Sequence, residues 1–426
     1  MTSRTRARTA ATPPSRGPAH ARSLRTRSVA RAVGLVATGA LAFGVVGGAS
    51  ALNAIQGNLG RADVESLLTD RPEQSTPDPD DPNAGKPLNV LVLGSDLRGG
   101  DNGHEVEGVE GMRSDTTVLV HVSADRSRVE MISIPRDSRV DIPACNVTGG
   151  GTTAPVNTRF NAAFANGATA GGDIASAAAC TMATVESLTD VYVDGFVVVD
   201  FAGFQEMIEA LGGVEMCIPE AIDSPKADLV LPAGWQTLDG ADALGFARAR
   251  YGMGDGSDLK RIGRQQELMA AMARTVLEKN VLTDLGQLYG FVDAGTKSLT
   301  MSENLASIPS LAGLAFSLRG ATSGNITFMT VPNAADPLDP DNKVVWTSEA
   351  DSLWERIRAD EPAEASSAAA APAPADDAPA EATEPPSATE DEPSDAATTE
   401  ETPAPVRTKD AGTEEFSAAD ETAQCG

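Results

Sequence analysis

Residues 88–98 read LNVLVLGSDLR, and this stretch decides the fold. Leu88 to Leu93 is a near-continuous apolar run rich in branched side chains, which reads as a strand buried on both faces. The run ends at Gly94, and Ser95, Asp96 and Arg98 follow at once. In open α/β sheets, ligands sit beyond the carboxyl ends of such strands, so polar groups placed there are candidates for chemistry. Working outward, Thr116–Val122 (TTVLVHV) and Val129–Ile134 (VEMISI) read as strands joined by the turn Ser-Ala-Asp-Arg-Ser. Gly195–Phe201, Val214–Ile218 and Ile326–Val331 add further strands. Asp173 is a good N-cap for a helix to about Leu188, Phe201–Leu211 suits another, and Ser257 or Asp258 opens a long one to Lys279. This alternation predicts an α/β fold, a three-layer α-β-α domain with a central mixed sheet, over residues 88–358.

The flanks differ in composition. The chain carries 33 basic and 61 acidic residues, net −28, yet residues 1–31 hold Arg4, Arg6, Arg8, Arg16, Arg22, Arg25, Arg27 and Arg31 and no acid. The remainder is therefore strongly acidic, which argues against nucleic acid as a partner. Residues 32–55 contain no charge and match the roughly 20 residues of helix that a bilayer requires. They read as a transmembrane helix, with a cleaved signal peptide ending near Ala49-Ser50-Ala51 as the alternative. Either reading sends the rest across the membrane, because arginines preceding an apolar run stay inside; the uncleaved helix would hold it at the cell membrane, single-pass, with the catalytic domain extracytoplasmic. Residues 56–87 read as a linker, and 359–426, rich in acids, alanine and proline, as a disordered tail.

Cys145, Cys180, Cys217 and Cys425 show no metal-ligand spacing. In an oxidising compartment disulfides are the natural reading. A Cys145–Cys180 bridge would be worth roughly 3–4 kcal/mol by loop-closure entropy, and Cys217 with Cys425 is the pairing that then remains.

The three histidines offer little: His20 precedes the apolar run, His121 lies in a predicted strand and His104 in a Gly-rich loop. Serine–histidine or cysteine–histidine catalysis therefore has almost no support. Carboxylates and arginines supply the alternative. Asp96 and Asp115 follow or precede strands, and two such acids hold Mg²⁺ well when substrate phosphates complete its octahedron. Arg136, at another strand end, offers a planar fork suited to phosphate, with an ion pair to Asp137 as the simpler reading. At 100° per residue, Asp258, Arg261 and Gln265 share a helix side with Ile262, Leu268, Met269, Met272 and Val276, so the buried face begins polar and must find partners. A phosphate at the helix N-terminus would satisfy them, as would an internal Asp258–Arg261 pair.

As a set, NVLVLGSDLR (89–98), RSDTTVLVHV (113–122), MISIPRDSRVDIP (131–143), FNAAFANGATAGG (160–172), VDGFVVVDFAGF (193–204), LPAGWQTLDGADALGFARARY (231–251) and GSDLKRIGRQQELMAAM (256–272) resemble the LytR-CpsA-Psr family of cell-wall glycopolymer ligases. The resemblance implies a domain whose apolar tunnel holds a polyprenyl tail while arginines grip a pyrophosphate at its mouth. On that analogy Asp96 and Asp115 hold Mg²⁺, Arg136, Arg250, Arg261 and Gln265 contact phosphates, and Asp96, Asp115 or Asp258 takes the proton of the attacking hydroxyl. Arg98, Arg113, Arg248 and Arg264 would be further substrate contacts. Members often carry a lysine before the Asn-Ala-Ala stretch, where this chain has Arg159-Phe160-Asn161. The implied reaction passes a glycan from a polyprenyl-pyrophosphate donor to a peptidoglycan hydroxyl. A polyprenyl-pyrophosphate hydrolase and a non-catalytic lipid-glycan binder are the competing classes. The arginine, alanine and glycine content fits an actinobacterial source.

Overall fold

A computed structural model describes residues 60–74, 85–95, 112–249, 257–279, 281, 291, 299–362, 409–420, 422–423 and 425. The strands in chain order are β1 (Gly60–Ala62), β2 (Leu88–Ser95), β3 (Ser114–Val122), β4 (Val129–Ser133), β5 (Arg139–Ile142), β6 (Val156–Arg159), β7 (Gly195–Val199) and β8 (Val214–Ile218). They continue with β9 (Ile222–Ser224), β10 (Leu229–Leu231), β11 (Gly234–Leu238), β12 (Leu299–Ser302), β13 (Ile326–Thr330), β14 (Asn333–Ala335), β15 (Val344–Trp346) and β16 (Phe416–Ser417). The helices are α1 (Ala162–Gly171), α2 (Ile174–Thr189), α3 (Phe201–Ala210), α4 (Gly240–Arg248), α5 (Asp258–Glu278), α6 (Ile308–Ser317) and α7 (Ser348–Arg358).

One mixed sheet runs β1-β12-β7-β2-β3-β4-β13-β16. The deciding strand β2 lies inside it, parallel to β7 and antiparallel to β3. β4 pairs antiparallel with β3 and parallel with β13. Strand side chains alternate between faces, and the two faces meet different helices. Leu91, Leu93, Leu119 and Ile132 pack with α1, α2 and α7 through Phe164, Met182, Val185 and Trp354. Met131 and Phe328 face the other way and meet Ala270 of α5. The predicted α-β-α layering with a mixed sheet is therefore what forms. The first layer is tight because it is built from small residues: a Cβ at Gly167 of α1 would collide with the Ser176 carbonyl of α2.

The caps expected for α2 and α5 are present, and α3 has one at Asp200 beyond those expected. Asp173 accepts the Ser176 amide of α2 at 2.7 Å and Asp200 the Gly203 amide of α3 at 2.7 Å. Ser257, the N-cap of α5, accepts from the Lys260 amide at 3.3 Å. Val214–Ile218 is a strand as expected, but it pairs with β11 in a two-stranded ribbon rather than in the main sheet. Gly212 and Gly213, at φ of 73° and 87°, take the left-handed backbone that turns the chain away from the end of α3.

Two boundaries are corrected. The folded part does not begin near Leu88, because β1 pairs parallel with β12 and Val64 and Leu68 are buried. Arg71 completes this entry segment: its Nη2 lies 2.7 Å from Glu186 Oε1, its Nη1 donates to the Tyr192 hydroxyl at 2.9 Å, and the guanidinium stacks 3.9 Å over the Tyr192 ring. Nor is all of 359–426 a tail without structure. Asp360 caps the cluster of His121 and Arg128, with its carboxylate 3.1 Å from each. Residues 409–420 pack back on the domain, with β16 on β13 and Phe416 stacked on Phe328 at 5.2 Å between centroids. Both disulfides form, Cys145–Cys180 and Cys217–Cys425. The expected span 32–55 lies outside the described residues, among which no helix is long and apolar enough to cross a membrane. Residues 1–31 and 363–408 also lie outside them.

Glu186 keeps only 4% of its side chain exposed, so removing Arg71 strands a buried carboxylate. Arg71→Met should cost about 3 kcal/mol of unfolding free energy, read as a lowered denaturant midpoint with unchanged slope. No loss would mean that residues 60–74 are an appendage to the domain.

Candidate active site

The site assembles where β3, β4 and α5 bring charged ends together. Asp115 stands at the start of β3, one residue after Ser114, and keeps 44% of its side chain exposed. Arg136 follows β4 in a tight turn, where the Ser138 amide donates to the Pro135 carbonyl at 3.0 Å and the Asn161 amide to the Arg136 carbonyl at 3.1 Å. Asp258 and Arg261 come from the first turn of α5, whose N-terminal backbone favours negative charge.

Their side chains interlock. Arg136 Nη1 donates to Asp115 Oδ1 at 2.9 Å, and Arg136 Nε lies 3.2 Å from Asp258 Oδ1 and 3.4 Å from Asp137 Oδ2. Arg261 Nη2 is 2.5 Å from the same Asp258 oxygen and donates to the Asp115 carbonyl at 2.9 Å. Asp137 Oδ1 in turn lies 3.3 Å from Arg159 Nε. The predicted Asp258–Arg261 pair is thus real, and it is also the bridge to Arg136. Arg159 joins the outer edge of the cluster with 43% of its side chain exposed.

The electrostatics follow from this packing. Burial alone would raise the Asp115 pKa. The charges of Arg136 and Arg261 and hydrogen bonds from Arg136 and Asn161 outweigh it and hold the carboxyl below its ordinary value. Burial works against the Arg136 cation as well, and Asp115, Asp258 and Asp137 overcome it and raise the guanidinium pKa further. Asp115 and Arg136 therefore stay charged at neutral pH.

The remaining candidates divide. Arg264 is buried and donates from Nη2 to the Ala249 carbonyl, while Gln265 Nε2 donates to the Ala247 carbonyl at 3.2 Å. Both grip the backbone just before Arg250, so in this structure they brace that segment. Arg248 is exposed, with its guanidinium 4.6 Å over the Phe201 ring, and is not among the groups interlocked around Asp258. Arg113 is exposed, and its carbonyl accepts from Ser95 Oγ at 3.1 Å, which ties it to the end of β2. Asp96, Arg98 and Arg250 lie outside the described residues. Sequence reasoning missed Arg159 and Asn161 as participants. It also missed Gln266, whose fully buried amide donates to Ser133 Oγ at 3.0 Å, the Met329 carbonyl at 2.9 Å and Thr330 Oγ1 at 3.1 Å. A cavity of about 350 Å³ lined by residues including Leu67, Arg71, Cys145 and Glu186 shares no residue with the cluster.

Fold and site together define a layered α/β protein with an arginine–carboxylate centre at the ends of its central strands. A profile of the LytR_cpsA_psr family matches residues 50–359, and the chain belongs to that family. Among curated relatives it is 32% identical over 260 residues to the cell wall biosynthesis protein LcpA of Corynebacterium glutamicum, covering 57% of this chain and 49% of LcpA. It is 31% identical over 246 residues to the polyisoprenyl-teichoic acid–peptidoglycan teichoic acid transferase TagT of Bacillus subtilis, covering 56% of this chain and 67% of TagT. The chain thus spans about half the length of LcpA. Among solved structures, protein gbs0355 from Streptococcus agalactiae superposes with a TM-score of 0.50 at 23% identity, over 65% of this chain and 88% of that one, a likeness of fold.

Asp115 should titrate below the ordinary carboxylate value of 3.8. Its stabilising contribution is then present above the unfolded value and lost as pH falls through the folded one. A carbon-13 titration of the carboxyl should show this, and Arg136→Gln should move the midpoint upward; an Asp115 midpoint at or above the ordinary value would contradict the geometry.

Proposed function

We propose that this protein is a membrane-anchored, extracytoplasmic phosphotransferase that moves a glycopolymer from a polyprenyl-pyrophosphate donor to peptidoglycan. The observation that carries the reading is the convergence of Arg136 and Arg261 on one Asp258 oxygen beside the half-exposed Asp115. The activity named for TagT supports it, as does the cell-wall role named for LcpA.

The charge balance explains what else the site needs. Arg136, Arg159 and Arg261 are matched by Asp115, Asp137 and Asp258. A diphosphate adds negative charge to this neutral cluster, so further cations must accompany it. Arg250, Arg98 and Arg113, on the segments that flank the cluster in sequence, are the protein's own supply. Asp115, ionised and partly exposed at a strand end, fits Mg²⁺, which is commonly held by one or two carboxylates plus substrate phosphates. Asp96 would be the second carboxylate. When bound, Mg²⁺ would neutralise charge on the phosphate oxygens.

In the reaction a wall-sugar hydroxyl attacks the phosphorus bearing the glycan. A new oxygen–phosphorus bond forms, the bond to the bridging oxygen breaks, and polyprenyl phosphate leaves with that oxygen. Arg136 and Arg261 fix the phosphoryl oxygens in line and neutralise the charge that spreads over them in a loose transition state. Asp115, held below its usual pKa, is a weak base, which suffices where the hydroxyl proton departs late. The reading further requires an apolar channel for the polyprenyl tail.

Full-length protein with Mg²⁺, a lipid-linked oligosaccharide and peptidoglycan fragments should release polyprenyl phosphate and link the glycan to the fragments. Release without acceptor would favour the hydrolase, and tight lipid binding without turnover the binder. Asp115→Asn should lower turnover by about 100-fold or more while the melting temperature changes little; full activity in this variant would exclude Asp115 from the site. Chelation of divalent cations should likewise abolish turnover, and Mg²⁺ should restore it; activity indifferent to chelator would remove the metal from the scheme.

A further inference from the structure

The family match ends at residue 359, yet residues beyond it pack against the helix that carries the site. The Ala411 and Gly412 backbone lies directly on α5 at Gly263: a Cβ on Gly263 would collide with the Ala411 carbonyl. A Cβ on Gly412, itself at φ of 91°, would come within 2.6 Å of the Leu259 carbonyl and 2.9 Å of the Gly263 amide nitrogen. Contact of backbone with backbone leaves no room for adjustment. Polar bonds run along the same junction. Gln266 Oε1 accepts the Gly412 amide at 3.0 Å while its amide nitrogen holds β4 and β13, so one side chain locks α5, sheet and C-terminal segment together. Lys260 Nζ lies 2.9 Å from Asp410, Arg274 Nη1 donates to the Ala418 carbonyl at 2.8 Å, and Glu267 takes a hydrogen bond from Thr422. The segment is secured at both ends, by the Phe416–Phe328 stack on β13 and by the Cys217–Cys425 disulfide to β8.

These contacts fall on the stretch of α5 that matters. Leu259, Lys260, Gly263, Gln266 and Glu267 meet the segment, and Arg261 and Gln265 lie on the opposite side of the same two turns, with Arg264 between the two faces. We propose that the C-terminal segment from residue 409 is a positioning strap for α5, with Gln266 as the positioning residue through which it fixes Arg261 against Asp115 and Asp258 against Arg136. The proposal rests on the functional reading above only for its activity readout. Its physical basis is that Asp258 and Arg261 ride together on α5, so a shift of the helix would move both away from Arg136 and Asp115, and misplacement of positioning groups costs rate steeply.

The test is Gly412→Val in the full chain, which pushes the strap off α5 without altering any side chain at the cluster. Phe416→Ala, which loosens the strap from β13 at a distance from the site, is the second variant. Two quantities are measured: amide hydrogen exchange, and kcat and KM for the lipid-linked donor. In both variants exchange in residues 258–268 should rise about tenfold or more, while β2 and β3 keep wild-type protection and show that the domain is folded. The kcat should fall about tenfold or more with KM within about twofold, the signature of groups needed in the transition state rather than for binding. Unchanged exchange in 258–268 in both variants would overturn the strap. Raised exchange with wild-type kcat would overturn its positioning role. A wild-type chain with no turnover would sink the functional reading, and the exchange result would then decide the strap alone.

Discussion

One oxygen of Asp258 holds the site together. Two guanidinium groups from distant parts of the chain, Arg136 after β4 and Arg261 on α5, reach the same carboxylate atom at 3.2 and 2.5 Å. Left to themselves these cations would repel one another and seek water. The Arg261 side chain is only 5% exposed and Arg136 15%, so their burial is tolerable because carboxylates accompany them. The fold serves this arrangement: antiparallel β3 begins where β4 ends, and the first turn of α5 reaches the same place.

The same constraint explains why acids are as abundant here as arginines. A purely basic pocket would attract a diphosphate more strongly, but before ligand arrived it would hold buried like charges with no partner. Pairing each guanidinium with a carboxylate preorganises the donors and keeps them charged, as the lowered Asp115 and raised Arg136 pKa values reflect. It also makes the unliganded cluster nearly neutral, so added cations become part of substrate binding.

Much of this was legible in the sequence. The apolar run of β2, the alternation in β4 and the caps Asp173 and Ser257 are local signals that need no partner to be read. The polar start of the α5 apolar face pointed to Asp258 and Arg261 because helical geometry is regular. What stayed hidden depends on contacts between residues far apart in sequence. Arg71 looks like any linker arginine until Glu186 and Tyr192 close around it. Gln266 sits off the predicted buried face, and the sheet and the strap together make that second face an interior one. The strap itself follows a long Ala/Pro/acidic stretch whose composition masks it; its signals were a solitary aromatic, Phe416, and a terminal cysteine. Arg264 and Gln265 were read as ligand contacts, whereas the structure shows them bracing the backbone ahead of Arg250.

The most direct measurement is an experimental structure of the protein with a diphosphate-bearing polyprenyl lipid and Mg²⁺. The account predicts density for the diphosphate against Arg136 and Arg261, with the metal on Asp115. A diphosphate lodged instead in the cavity beside Arg71 and Glu186, with the Arg136–Asp258–Arg261 bridge untouched, would contradict it.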